Sequence, residues 1–177
     1  FTRRFMPALL GLIPGLMLAT SAPAAAPSAD APAYRRHGEW RSSSLGGGGY
    51  ILGTLVAPSN PKIHYAYIDV GGAYRSEDDG ATWRMLHGGW PVPPGIYDTT
   101  GLSIHPADAD DVLVAVGSVW APRVGVYRSR DGGRTWTETL AAQFYGNGDF
   151  RSAGHVFARP PGRPDTLYVA SAGDGVH

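Results

Sequence analysis

The stretch GAYRSEDDGATWRML at 72–86 recurs as GVYRSRDGGRTWTETL at 125–140. A matching pair of β-forming runs precedes each copy, GTLVAPSNPKIHYAYIDV at 53–70 and GLSIHPADADDVLVAVG at 101–117. A third copy starts at Gly154 and reads GHVFARPPGRPDTLYVASAGDGVH to the last residue. Self-similarity at such a period indicates a repeat architecture, in which each unit is one small group of secondary-structure elements.

Each repeat reads as four short strands, because Val, Ile, Tyr and Trp fill the runs while Gly, Pro, Asn and Asp fill the gaps. In the first repeat, the predicted strands are 51–57, 64–69, 72–76 and 82–86. Four antiparallel strands in each repeat are typical of an all-β fold, the β-propeller of four-stranded blades. The predicted blades are 50–86, 101–140 and a partial third at 154–177.

About two and a half blades cannot close a ring, which needs roughly four to eight. The open edge would be apolar. The chain also begins with Phe1 rather than Met, and its third repeat stops at His177, where the first two continue into a YRS segment. We therefore expect a fragment of a longer protein, which is a monomer when complete.

The first 26 residues have the order of a secretory signal peptide. Arg3 and Arg4 precede an apolar run at 8–19, and Ala22-Pro23-Ala24 resembles a cleavage site. The run is shorter than the roughly 20 residues that span a bilayer, although an uncleaved anchor is the alternative. We expect a secreted or periplasmic protein with no stable membrane association after cleavage. A Pro/Ala-rich linker is predicted at 27–39, followed by the partial propeller at 40–177.

The composition argues against several partners. Lys plus Arg and Asp plus Glu both number 15, and no basic patch interleaved with aromatics is present, so no nucleic acid is expected. The chain has no Cys, and its six His show no metal-ligand spacing, so we predict no metal site. His64, His105 and His155 are interpreted as turn or strand residues.

Both full repeats carry the motif S-x-D-x-G-x-T-W at the turn between the third and fourth strands. The Asp carboxylate can accept backbone N–H bonds across the turn, Gly permits positive φ, and Trp is expected to pack between blades. We therefore assign the motif a structural role and call the two copies the motif turns. Their residues are Ser76, Asp78, Gly80, Thr82 and Trp83, then Ser129, Asp131, Gly133, Thr135 and Trp136. The motif resembles the Asp box (BNR repeat) of sialidases, sortilin-type receptors and family 74 glycosidases.

Three stretches resemble the family 74 glycoside hydrolases, the xyloglucanases: GGGGYILG at 46–53, YAYIDVGGAYRS at 65–76 and VLVAVGSVW at 112–120. The resemblance implies an exported enzyme that cleaves a β-glucan such as xyloglucan with inversion and needs no cofactor. It assigns the general base to Asp69, in the sequence DVGGAYR. It also implies that the general acid comes from a second propeller beyond His177, so that this fragment alone is inactive.

Asp69 also suits this role by its sequence context. It follows a run at 65–68 that should be a strand near the axis of the ring, and it precedes Gly71 and Gly72, which cannot screen it from a ligand. Inverting glycosidases need two carboxyl groups roughly 6.5–9.5 Å apart, and only this one stands out in the chain. The alternative is that Asp69 merely caps the turn before Gly71.

Sugar rings pack on aromatic faces, so exposed aromatic residues are candidate subsites. Trp120 lies between the second and third strands of the second repeat, while Trp90 and Tyr97 lie in the segment joining the first two repeats. Inter-blade packing is the alternative for each. Arg123, Asp98 and Asp149 lie in predicted loops, and the sequence does not distinguish them from solvated surface residues.

Two other function classes stay open. One is a non-catalytic exported propeller that binds a polysaccharide or a protein. The other is a sialidase, which needs an Arg in an F/Y-R-I-P motif ahead of the first Asp box. GGGGYILG at 46–53 contains no Arg, which disfavours a sialidase. The segment 87–100 also lacks the Leu-Asp-Trp expected of family 74, which weakens the substrate assignment.

Overall fold

The fold is described from a computed structural model, which covers residues 43, 45–46, 49–92, 97–120, 124–149 and 155–177. All of them belong to one compact unit that begins at Arg41. The predicted signal peptide at 1–26 and the linker at 27–39 lie outside the described residues.

The first sheet contains β1 (Ile51–Ala57), β2 (Asn60–Ile68), β3 (Gly72–Ser76) and β4 (Arg84–Met85), hydrogen-bonded in that order and all antiparallel. β1 and β3 have the bounds that the sequence predicts. β2 begins four residues earlier than predicted, because Asn60 pairs with Ala57 across a tight hairpin. β4 is shorter than predicted, because Thr82 lies in the preceding motif turn, where it hydrogen-bonds Asp78.

The second sheet repeats this order with β5 (Thr99–His105), β6 (Asp108–Val116), β7 (Val124–Ser129) and β8 (Thr137–Ala142). The third sheet has three strands, β9 (Phe157–Ala158), β10 (Tyr168–Ser171) and β11 (Gly175–Val176), with β10 in the middle. Helical structure within the described ranges is limited to one 3₁₀ turn at His87–Gly89. The all-β prediction is therefore confirmed.

β2 is the second strand of its sheet, flanked by β1 and β3, and Asp69 directly follows its last residue. That this strand lies near the axis of the complete ring stays a prediction.

The core is built from the two faces of the second sheet. Along β6, the fully buried Val112, Val114 and Val116 belong to the apolar cluster shared with the first sheet, while Ala115 belongs to the cluster shared with β10. This alternation follows from the two-residue period of a strand, and a β-branched run buried on both faces fits a central strand. Each buried Val side chain contributes about 1.5–3 kcal/mol.

Polar contacts also join the first and second sheets. The Tyr65 hydroxyl donates to the Ala109 carbonyl at 2.7 Å and accepts from Arg75 at 3.0 Å. Arg75, which is 4% exposed, forms an ion pair with Asp110 of β6. The Tyr65 hydroxyl is thus satisfied both as donor and as acceptor where the two sheets meet.

Candidate active site

Because neighbouring strands run in opposite directions, the connections between them lie at the two opposite ends of the strands. We call each of these ends an edge of the sheets. One edge carries the β2–β3 turn, the β4–β5 connection, the β6–β7 loop and the β8–β9 connection. The other edge carries the β1–β2 and β5–β6 turns and both motif turns. We call the first edge the site face, because it holds Asp69, Tyr97 and Trp120.

Asp69 lies in the β2–β3 turn and is only 3% exposed. Its carboxylate Oδ1 accepts the Tyr50 N–H at 2.8 Å and the Val70 N–H at 2.9 Å, while its own N–H donates to the Tyr50 carbonyl at 3.0 Å. Space around the carboxylate is limited, since a Cβ on Gly49 would lie 3.1 Å from Oδ1. The residue is therefore held rigidly, an arrangement that suits both a fixed base and a turn cap.

A second carboxyl group, Asp98, lies on the site face just before β5 and is 8% exposed. The equivalent of Tyr50 in the second repeat is Asp98, and the equivalent of Asp69 is Gly117, whose N–H donates to the Asp98 carbonyl at 3.0 Å. Burial raises the pKa of Asp98, a hydrogen bond from the Ser118 hydroxyl opposes the shift, and the charge of Asp69 adds to it. Packing of the two sheets thus places Asp98 close enough to Asp69 for the charge of Asp69 to raise the pKa of Asp98.

Trp120 is 83% exposed in the β6–β7 loop. The backbone N–H of Trp120 donates to Ser118 Oγ at 3.3 Å. Val119 and Tyr145 are also exposed on this face, at 41% and 36%. These exposed side chains give the site face apolar surface, and the sugar-binding role of Trp120 stays a prediction.

Tyr97 and Trp90 have different surroundings. Tyr97 is half-buried and stacks on His87, with ring centroids 4.4 Å apart. Trp90 is 7% exposed and packs edge-on against Trp136 at 5.7 Å, inside the cluster between the first two sheets. This placement supports the packing alternative for Trp90. Burial lowers the pKa of His87 and so favours its neutral form.

The motif turns lie on the edge opposite the site face. In the first, Asp78 accepts the Thr82 N–H at 2.8 Å and the Thr82 hydroxyl at 2.6 Å, and these bonds lower the pKa of Asp78 to about 2. In the second, Asp131 makes the same bonds to Thr135, which lower its pKa as well. The two carboxylates thus close their own turns.

The remaining motif side chains complete the turns. The Ser76 and Ser129 hydroxyls donate to the Asp carboxylates at 2.8 and 2.7 Å and accept the N–H of Gly80 and Gly133. Trp136 lies between the sheets and donates its Nε1–H to the Leu86 carbonyl at 3.3 Å. In the first turn, half-buried Trp83 instead donates to Ser43 Oγ at 2.9 Å.

Within the described ranges, no group of three or more His, Asp or Glu side chains is arranged to hold a metal ion. The same part of the chain contains no helix with the length and apolar character needed to cross a membrane.

Sequence reasoning did not identify Asp98, Ser118, His87 and Tyr145 as members of the site face. Asp98 could have been found by superposing the repeats strand by strand, because it takes the place of Tyr50, the residue whose backbone holds Asp69. The sequence gives no comparable signal for His87. That ring lies against Gly72, where a Cβ would be 2.4 Å from Nδ1.

The fold and site define a set of four-stranded propeller blades that carries buried carboxylates and an exposed aromatic residue on one edge. No family model matches the chain. It is similar to a xyloglucanase from Hypocrea jecorina, with 33% identity over 77% of this chain and 17% of that protein. A xyloglucanase from Paenibacillus sp. is 33% identical over 90% of this chain and 16% of its own length.

Among solved structures, the GH74 xyloglucanase from Xanthomonas campestris matches with a TM-score of 0.65 and 32% identity, over 78% of this chain and 20% of that one. The GH74 enzyme from Niastella koreensis, 23% identical with a TM-score of 0.60, shares the fold. These neighbours are β-propellers, which confirms the partial-propeller prediction. The chain resembles part of the family 74 enzymes and spans 16–17% of the length of the curated relatives named above.

Proposed function

We propose that the chain is part of an exported, secreted or periplasmic, glycoside hydrolase of family 74 type. Its substrate is a β-glucan such as xyloglucan, and its general base is Asp69. One observation carries the proposal: Asp69 of the DVGGAYR segment is a buried carboxylate held by two N–H groups on the same face as an exposed Trp. The relatives whose names state xyloglucanase activity support the choice of substrate.

In this proposal, Asp69 removes a proton from the water that attacks the anomeric carbon. The N–H groups of Tyr50 and Val70 fix Oδ1, which leaves the carboxylate with one orientation toward that water. Trp120 binds a sugar ring on its exposed face. An inverting reaction also needs a general acid roughly 6.5–9.5 Å from the base, and we assign that acid to another part of the complete protein.

The second candidate is a non-catalytic propeller that binds a polysaccharide. It is favoured by the low exposure of Asp69, 3%, and by the use of its carboxylate within its own turn. Under this alternative, Trp120 still binds sugar, but no bond is cleaved.

The test compares the complete gene product with its Asp69→Asn variant on xyloglucan, by release of reducing ends and by calorimetric binding. Asp78→Asn is the matched control, because it changes an Asp on the opposite edge. We expect Asp69→Asn to lower kcat about 100- to 10,000-fold, with binding retained and the control close to the parent. A parent that binds without cleaving, or an Asp69→Asn variant that cleaves as well as the parent, would favour the binding propeller.

A further inference from the structure

A histidine ring fills the space beside Gly72, the residue that directly follows the Asp69 turn. Gly72 has a positive φ of 78°, and a Cβ on it would lie 2.4 Å from Nδ1 of His87. The His87 ring also stacks on Tyr97, with centroids 4.4 Å apart, and meets Tyr74 edge-on at 6.5 Å. Because Gly72 and Tyr74 lie on the same face of β3, the ring occupies the place that a side chain at position 72 would take.

Hydrogen bonds do not account for the placement of this ring. Nδ1 of His87 is buried, and among the residues that the structure describes it has no hydrogen-bond partner. The backbone nearby is fixed separately, because the Leu86 N–H donates to the Ala73 carbonyl at 2.9 Å and the Trp90 N–H donates to the His87 carbonyl at 3.3 Å. Since a buried polar atom without a partner is unfavourable, the ring is kept in place by packing.

The second repeat provides an internal comparison. In the first repeat, the register of β3 with β4 brings Gly72 opposite His87, beyond the end of β4. In the second, Gly125 takes the place of Gly72, and its partner in β8 is Ala141. The second repeat also has a glycine in the place of Asp69. The repeat with the acidic turn thus has an aromatic ring beside it, whereas the other repeat has an alanine at the equivalent position.

The contact with Gly72 acts on the turn that holds the candidate base. Gly72 pairs with Ile68, the last residue of β2, and Asp69 follows directly. A ring that fixes Gly72 therefore limits the movement of residues 69–71, which join the two strands. We propose that His87 is a positioning residue, whose ring packs against Gly72 and holds the Asp69 turn in position for the reaction. The inference rests on the proposed function for the role of Asp69.

This role separates the chemical step from substrate binding. His87 contacts no substrate in this scheme and acts only through the turn. A displacement of about 1 Å can lower the rate of an enzyme about 100-fold. The candidate sugar platform, Trp120, lies in the β6–β7 loop of the other sheet. Loss of the ring should therefore lower kcat and leave KM nearly unchanged.

The kinetic test uses the complete gene product with xyloglucan oligosaccharides. We expect His87→Ala to lower kcat about 10- to 100-fold, with KM within about twofold of the parent. His64→Ala is the matched control, because it removes a His from the opposite edge of the same sheet, where Nε2 of His64 lies 3.2 Å from Oδ1 of Asp79. This control should keep the kcat of the parent.

Gly72→Ala tests the same contact from the other side and gives an answer even if His87→Ala does not fold. The added Cβ collides with Nδ1 of His87, so we expect a lower kcat with KM retained. In a His87→Ala background, Gly72→Ala should lower kcat by a smaller factor, because the ring with which it collides is gone. The strain from the positive φ of residue 72 is common to both backgrounds.

The proposal is overturned if His87→Ala folds and keeps the kcat of the parent, if its loss appears in KM alone, or if Gly72→Ala keeps the kcat of the parent. An equal effect of Gly72→Ala with and without the ring also overturns it.

Hydrogen exchange of a peptide spanning 69–73, read by mass spectrometry, gives an answer independent of activity. Faster exchange there in His87→Ala, with unchanged exchange at 126–129 in the second sheet, supports the hold on the turn. This result stands even if the parent cleaves no xyloglucan, an outcome that refutes the proposed function alone. Unchanged exchange at 69–73 refutes the hold.

Discussion

The contact between the first two sheets can be tested with a pair of equivalent glycines. Gly80 and Gly133 occupy the same place in the two motif turns, with φ of 83° and 86°. A Cβ at Gly133 would lie 2.8 and 3.0 Å from Cδ2 and Cδ1 of Leu86, which is buried in the neighbouring sheet. At Gly80, the nearest atom would be the Ser43 hydroxyl oxygen at 3.3 Å, at the end of a short side chain. Substitution by Ala therefore probes the turn alone at Gly80, and the turn plus the sheet contact at Gly133.

An Ala in the left-handed region costs about 1–2 kcal/mol at either site. Overpacking against Leu86 adds about 1–3 kcal/mol at Gly133. We expect Gly80→Ala to lower the free energy of unfolding by about 1–2 kcal/mol and Gly133→Ala by about 2–5 kcal/mol. Urea denaturation, monitored by tryptophan fluorescence, measures the free energy of unfolding of both variants. Replacing Gly by Ala lowers the entropy of the unfolded chain at both sites, so this effect cancels when the two variants are compared. Equal losses would show that Gly133 does not pack against the first sheet as described.

Three further predictions follow from the motif turns and the aromatic residues. The folded-state pKa of Asp78 is lowered to about 2, from an ordinary pKa near 3.8. The ionised carboxylate therefore stabilises the folded state fully above pH 3.8, and this stabilisation is lost as the pH falls toward 2. The stability difference between the protein and Asp78→Asn, measured by thermal denaturation, should thus shrink across that interval. Trp136→Phe removes the Nε1–H bond to the Leu86 carbonyl and should cost about 1 kcal/mol in chemical denaturation, with the fold retained. Trp120→Ala should weaken oligosaccharide binding in calorimetry and leave the melting temperature unchanged, because the ring is 83% exposed.

Much of the fold follows from local sequence chemistry. The runs at β1 and β3 combine β-forming residues with turn residues at both ends, so their bounds can be predicted. The start of β2 was missed because Asn60-Pro61 reads as a turn, whereas the tight hairpin pairs Asn60 with Ala57. Thr82 reads as a strand residue, yet its N–H and hydroxyl bind Asp78 and hold it in the turn.

The site was only partly predictable, because its members come together through the packing of sheets. Asp69 and Trp120 stood out by their own sequence context. Asp98 resembles any loop Asp until β5 pairs with β6 and places it beside Ser118 and the charge of Asp69. Trp90 was a candidate sugar platform from its loop position, but it turns inward against Trp136, a residue of the other repeat. Neither the surroundings of Asp98 nor the packing of Trp90 could be predicted, because the residues involved lie far apart along the chain.

We propose that the site face, which carries Asp69 and Trp120, binds a glucan chain that the complete protein cleaves. The most direct measurement is a crystal structure of the complete gene product with Asp69→Asn, soaked with a xyloglucan oligosaccharide. We expect a sugar ring on the Trp120 indole and a glycosidic bond near the residue 69 side chain. An oligosaccharide bound only at the edge that carries the motif turns, or one bound on the site face away from residue 69, would contradict it.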